Sequence, residues 1–406
     1  MPANKKPSKA KPAKKQPLRF AHPFFSTSPV QNRAFVPGAG SRMIDFVATK
    51  LLSFPDPQRD PTMLLADIIG QQGVTEIEAN HSITFHAVGD TGHENGQMQE
   101  LVAEAMSQDY DAAHPGKSPA FFLHLGDVIY YDNTDKGYQA QFYVPYKKYP
   151  GKIIAIPGNH DGEIFKFDGT PTGQKTSLVA FWRNFCQPKP GIPPDAGTIF
   201  REMPSQPGAY WYLDAPFVDI IGLYSNIGEG PGFINVPSIG GLKQTDWLIK
   251  TLTSIQKKRA QGNRKGLIIA VHHPPFSNGG HSSSSEMLAE IDACCNKSGI
   301  MPDAVLAAHA HNYQRFTRHL NFGSKNLEIP FYVVGCGGRG TVPVAAASGK
   351  KTGDHSFDSS LVGYGYLTVT ANASQLSFFL TEVDASGTKK PFDKKLVIDL
   401  KTNKIS

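Results

Sequence analysis

Asp90, Asp127, the run Asn159-His160-Asp161, His272 and the pair His309 and His311 follow one another along the chain, nearly all at the carboxyl end of an apolar run that reads as a buried strand. In an open α/β sheet the loops leaving those ends converge on one crevice, so ligand-type side chains at five of them predict a shared site. A lone Asp after a strand is more often a helix cap or turn residue. Five ends loaded with carboxylate, amide and imidazole donors instead predict two metal ions of the Fe, Zn or Mn kind. Thiolates, the mark of a structural zinc site, are absent from all five segments.

Composition narrows the classes further. With 406 residues, 40% of them hydrophobic, the chain can bury one large core or two modest ones. No run approaches the roughly 18 apolar residues that a membrane span needs, so no transmembrane segment is expected. The net charge of +6 is concentrated in Lys5, Lys6, Lys9, Lys11, Lys14 and Lys15. Without that tail the body is close to neutral, and a Lys/Pro/Ala segment lacks the apolar area to offset chain entropy. It is read as a disordered, solubilising tail (1–35); contact with nucleic acid or an anionic surface through it is the competing reading. No secretory signal pattern follows the tail, and cytoplasmic localisation is expected. Cys186, Cys294, Cys295 and Cys336 show no C-x-x-C spacing and predict no disulfide framework.

Residues 36–80 read as an extension packed on the core, with helix-like apolar spacing over Met43–Leu52 and Thr62–Ile69. From 81 to 406 a single catalytic domain is expected. It opens on a strand–helix rhythm: strand 83–89, helix 97–107, strand 120–126, helix 139–148, strand 153–157, helix 177–185. Further strands are predicted at 209–213, 218–224, 266–272, 304–308, 331–335, 364–370, 376–381 and 396–400, with a helix over 243–259. The later strands follow one another without intervening helices, as in meanders. The fold class predicted is α/β: a four-layer sandwich of two mixed β-sheets flanked by helices.

Gly126-Asp127, Gly158-Asn159-His160-Asp161 and the pair His309-Ala310-His311 resemble the segments of the calcineurin-like metallophosphoesterases, over about Ser82 to Arg315. Members usually carry Gly before the paired histidines, where this chain has Ala308. Many also carry Asp-x-His in the first segment, where Asp90-Thr91-Gly92 has glycine. Tyr130, three residues after Asp127, stands where the purple acid phosphatase branch has a tyrosinate ligand in place of that histidine. His281, nine residues beyond His272, matches a further active-site histidine of the branch.

The resemblance implies one metal held by Asp90, Asp127, Tyr130 and His311, and a second by Asp127, Asn159, His272 and His309. The bridging carboxylate is a physical necessity between two close cations. In the doublet, the pattern leaves His272 or His273 open; His-x-Pro through Pro274 aligns His272 with the ligand. Asp90, Asp127 and tyrosinate Tyr130 supply about three negatives against about five positives from Fe(III) and a partner Zn, Mn or Fe(II), which leaves a net charge matched to a phosphate dianion. Implied with this is hydrolysis of phosphate monoesters by a metal-bound hydroxide, the substrate being a small phosphate ester. Asn159, His160 and His281 are assigned to substrate contact, and His160 or His281 to protonating the leaving oxygen. Asp161 is expected to orient the His160 ring.

Other candidates receive simpler readings. His86 and His124 lie within strands and read as satisfied interior groups, and the helix opening Gln244-x-Asp246-Trp247 puts its tryptophan in the core. His93 is a candidate substrate contact by proximity to Asp90. Gly335-Cys336-Gly337-Gly338-Arg339-Gly340 is a candidate phosphate-cradling loop, with Arg339 a candidate anion contact. Two rival functions remain: a phosphodiesterase with two divalent metals and no tyrosinate, and a binding protein that keeps the site only for recognition.

Overall fold

Gly266–Ala270 is an uninterrupted apolar run, and the computed structural model shows it buried on both faces. Ile268 and Ala270 enter a core between two sheets, while Leu267, Ile269 and Val271 enter a second core that includes Leu248, Leu252, Met287 and Ile291 of the flanking helices. The same alternation recurs at Ala304 and Leu306 against Val305 and Ala307.

The structure describes residues 54–93, 96–166, 170–225, 232–235 and 241–406. The tail (1–35) and the stretch Met43–Leu52 lie outside the described residues. In chain order, β1 (Thr62–Leu64) and α1 (Leu65–Ala79) lead into β2 (Ser82–Val88), α2 (Gln97–Ser107), β3 (Phe121–His124), β4 (Lys152–Ala155) and α3 (Val179–Phe185). Then come β5 (Trp211–Ala215), β6 (Val218–Gly222), α4 (Gly241–Ala260), β7 (Gly266–Ala270), α5 (Ser285–Ser298) and β8 (Ala304–Ala307). The chain closes with β9 (Tyr313–Phe322), β10 (Lys325–Val334), β11 (Lys351–Thr352), β12 (His355–Leu361), β13 (Tyr364–Asn372), β14 (Gln375–Val383), β15 (Lys389–Asp399) and β16 (Lys404–Ile405).

Two mixed sheets result, as the sequence predicts. One runs β16-β15-β14-β13-β2-β3-β4, the other β1-β5-β6-β7-β8-β10-β9-β12-β11. In the first, β2, β3 and β4 are parallel and in register at Val88, His124 and Ala155, so their carboxyl ends stand level. In the second, β7 and β8 are parallel with Ala270 opposite Leu306. Asp90, Asp127, Asn159, His272 and His309 all follow within a few residues of these ends.

Several local expectations need correction. Thr62–Ile69 divides into strand β1, paired with β5, and the start of α1. Gln139–Lys148 is no regular helix: a single helical turn at Asp135–Tyr138 runs into a wider turn of π type over Gln139–Tyr143. The later strands are not all consecutive, because α5 separates β7 from β8. All four cysteines are free and buried. No helix of the described residues is long and apolar enough to cross a membrane.

Candidate metal centre

The two sheets are stitched together at the site itself. The His272 ring at the end of β7 meets the Leu125 carbonyl beyond β3 at 2.8 Å through Nδ1. A carbonyl can only accept, so Nδ1 carries a proton and Nε2 faces inward. There it meets Asp127 Oδ2 at 3.3 Å, Asn159 Oδ1 at 3.1 Å and His309 Nδ1 at 3.2 Å. His273 faces elsewhere, its Nδ1 on the Ser225 hydroxyl at 2.9 Å, so His272 is the member of the doublet that joins the cluster.

Tyr130 is buried with its hydroxyl 3.1 Å from Asp90 Oδ1 and 3.0 Å from His311 Nε2. The ligand-type atoms of Asp127, His272 and His309 lie within 4.8 Å of one another, as do those of Asp90, Asp127 and His311. Asp127 belongs to both groups. Asp90, Asp127, His309 and His311 all hold left-handed backbone, with φ of 54°, 52°, 70° and 48°. For residues other than glycine that conformation is strained, and such strain gathers at functional sites.

The donors fit cations better than they fit each other. Asp90 Oδ2 and Asp127 Oδ2 are buried without a hydrogen-bond donor, and several acceptors face one another at contact distance. Burial, partly opposed by the His272 imidazole and reinforced by Asp127, pushes the Asp90 carboxyl up to about 8. Burial acts on Asp127 too, but His272 and His160 hold it below the usual carboxylate range. Burial and the charges of Asp127 and Asp90 push the Tyr130 phenol well above its ordinary value. A cation in each group would remove these penalties by supplying the missing positive charge.

Residues 83–313 match the calcineurin-like phosphoesterase family. The chain belongs to that family. No curated protein matches it in sequence. Among solved structures it is similar to purple acid phosphatase PPD1 from yellow lupin (Lupinus luteus) seeds, at 15% identity and a TM-score of 0.55, over 85% of this chain and 55% of the lupin chain. It thus spans little more than half the lupin protein's length. GAP50, the anchor in the inner membrane complex of Plasmodium, is similar at 11% identity and a TM-score of 0.47, over 77% of this chain and 90% of its own. PhoD is similar at 12% identity and 0.46, over 87% and 73%. At such identities the likeness is one of fold.

In this chain Ala308, in place of the usual glycine, is accommodated by a glycine opposite it: a Cβ on Gly89 would lie 2.6 Å from that of Ala308. His160, His281, His311, His93, Tyr131 and Arg339 line a cavity of about 330 Å³ beside this cluster of candidate ligands. His281 is buried there, its ring 4.0 Å from that of His309. The expectation for Asp161 is overturned. Its carboxylate accepts from the Gly158 and Val128 amides, which fixes the loop, and the partner of His160 is Glu163, 2.9 Å from Nδ1 and buried. Sequence reasoning missed Glu163 because the i, i+3 link needs the helical turn Asn159–Gly162, which the adjoining Gly162 obscures.

The glycine loop after β10 does not cradle an anion with its backbone. The Gly337 and Arg339 amides are taken up by the Gly89 and Asp90 carbonyls, and that of Gly335 by Asn312. His86 and His124 are satisfied interior groups, held by Tyr149 and Asp109 and by Thr91 and the Gly126 amide. Trp247 packs against Tyr210 at 4.9 Å and is partly buried at the core edge.

Proposed function

We propose that this protein hydrolyses phosphate monoesters at a two-metal centre of the purple acid phosphatase kind. The observation that carries the reading is the Tyr130 hydroxyl set between Asp90 and His311, in a chain whose Gly92 removes the alternative histidine. Asp90, Asp127, Tyr130 and His311 would hold Fe(III), and Asp127, Asn159, His272 and His309 a Zn, Mn or Fe(II) partner. Bound there, the pair supplies Lewis acidity, a deprotonated water and a positive field for a phosphate dianion. The chain's own residues do the rest. Glu163 keeps His160 oriented and favours its charged form, so His160 is the group that gives a proton to the departing alkoxide oxygen. His281, on the cavity wall, hydrogen-bonds a phosphoryl oxygen.

Elemental analysis of purified protein, combined with turnover of an aryl monophosphate and an aryl phosphodiester, tests the reading. Iron, a tyrosinate-to-iron absorption in the visible, and monoester preference are expected. Tyr130→Phe should abolish the visible band and reduce, without eliminating, turnover. A colourless, iron-free enzyme that prefers the diester would put a phosphodiesterase with two divalent ions in its place. Glu163→Gln should lower kcat on the monoester by about tenfold to a hundredfold, with metal content unchanged, because it removes the charge behind the His160 ring. An unaltered kcat would mean that His160 needs no such support.

A further inference from the structure

Among the described residues lining the cavity, Arg339 alone carries a permanent charge. Its guanidinium lies over the Tyr130 ring at 4.3 Å and the Tyr131 ring at 5.1 Å, and it forms no ion pair among the described residues. Among the buried arginines, Arg315 pairs with Asp393 and Arg318 with Asp292 and Asp354, while Arg201 is taken up by the Gly151, Tyr146 and Tyr149 carbonyls. A half-buried guanidinium without a carboxylate, facing a cavity, is suited to an anion that arrives from outside.

Its position is built rather than incidental. The Arg339 amide donates to the Asp90 carbonyl at 2.9 Å and the Gly337 amide to that of Gly89 at 3.1 Å. That close approach depends on glycine: a Cβ at Gly337 would lie 2.5 Å from the Gly89 carbonyl oxygen, and one at Gly338, where φ is +143°, 2.6 Å from Gln99. The glycine loop therefore moors Arg339 to the backbone of Asp90, one of the residues in the metal-ligand cluster.

We propose that Arg339 is the specificity determinant of this site: its planar fork takes nonbridging oxygens of the phosphate, and so favours the monoester dianion over the diester monoanion. This rests on the monoester reading above. A diester has one charged oxygen pair and a second bulky substituent, so a bidentate guanidinium gains less from it.

The test compares metal-replete wild type, R339K and R339Q on an aryl monophosphate and an aryl phosphodiester, with inorganic phosphate titrated against each protein. R339Q is expected to lose about tenfold to a hundredfold in monoester kcat/KM, carried by KM, with phosphate affinity falling by a similar factor. Diester kcat/KM should change far less, and R339K should recover part of the loss because it restores charge without the fork. The monoester penalty should shrink below about pH 6, where the dianion takes up a proton and becomes a monoanion. Equal losses on both esters, or unchanged phosphate affinity, would overturn the assignment and leave the monoester reading standing. A variant that loses its metals would also overturn it, by making Arg339 a support for Tyr130. A wild type that turns over only the diester refutes the monoester reading itself, and the proposal with it.

Discussion

Asp127→Asn is expected to lower kcat/KM by about a thousandfold or more and to reduce bound metal in the same preparation, since metal-borne charge stabilisation is worth several kcal/mol and each ~1.4 is tenfold. Among the described residues, no other side chain belongs to both groups. Asparagine preserves the shape and can still accept from the His160 amide, which Asp127 Oδ1 now does at 2.9 Å. What it removes is the negative charge and the second oxygen, Oδ2, which faces His272. His272 and His160 hold the Asp127 carboxylate in its charged form, so its loss should lower the thermal midpoint of the metal-free protein while leaving it folded. Loss of turnover and metal with the fold intact is the expected pattern. Wild-type metal content and turnover in this variant would contradict a shared carboxylate.

The ligand-type residues were legible because each sits where a parallel strand ends, and strand ends were marked by apolar runs such as Ile83–Val88 and Gly266–Ala270. What the pattern hid has physical reasons. β9 carries Arg315 and Arg318, charges that argue against a buried strand until the paired Asp393, Asp292 and Asp354 arrive from distant segments. Its hairpin with β10 nonetheless left a trace in Gly323-Ser324, a two-residue turn with Gly323 at φ +59°. Helix α5 was readable and overlooked: Ser284 caps the Met287 amide, Gly299 stops the helix in the left-handed region, and Met287, Ile291, Cys294 and Cys295 keep helical spacing. The serine run that leads into it, Ser282 to Ser285, has no apolar periodicity to mark where the helix begins. Glu163 and the mooring of Arg339 depend on turns and backbone contacts between segments, which no single-segment periodicity encodes.

Gly158→Ala should be nearly as damaging as the loss of Asp127, for a steric reason alone. Gly158 has an extended backbone, φ −92° and ψ −172°, which alanine adopts without strain. The added Cβ, however, would lie 2.1 Å from Asp127 Oδ1, 2.3 Å from the Asp127 amide nitrogen and 2.8 Å from its Cγ. A flexible side-chain tip could turn aside, but the amide nitrogen belongs to a residue already held at φ 52° and cannot. Overpacking of this sort costs about 1–3 kcal/mol of stability, and a displacement of about 1 Å at the reacting centre costs on the order of a hundredfold in rate. The thermal midpoint should therefore fall by several degrees, with metal affinity and kcat/KM falling further than stability alone explains. Gly191, beside which a Cβ meets nothing within 4 Å, supplies the control: Gly191→Ala should stay within about 0.5 kcal/mol of wild type and keep full activity. If Gly158→Ala behaves like Gly191→Ala, the loop after β4 does not press on Asp127, and the two ligand groups need not share that carboxylate in the arrangement described.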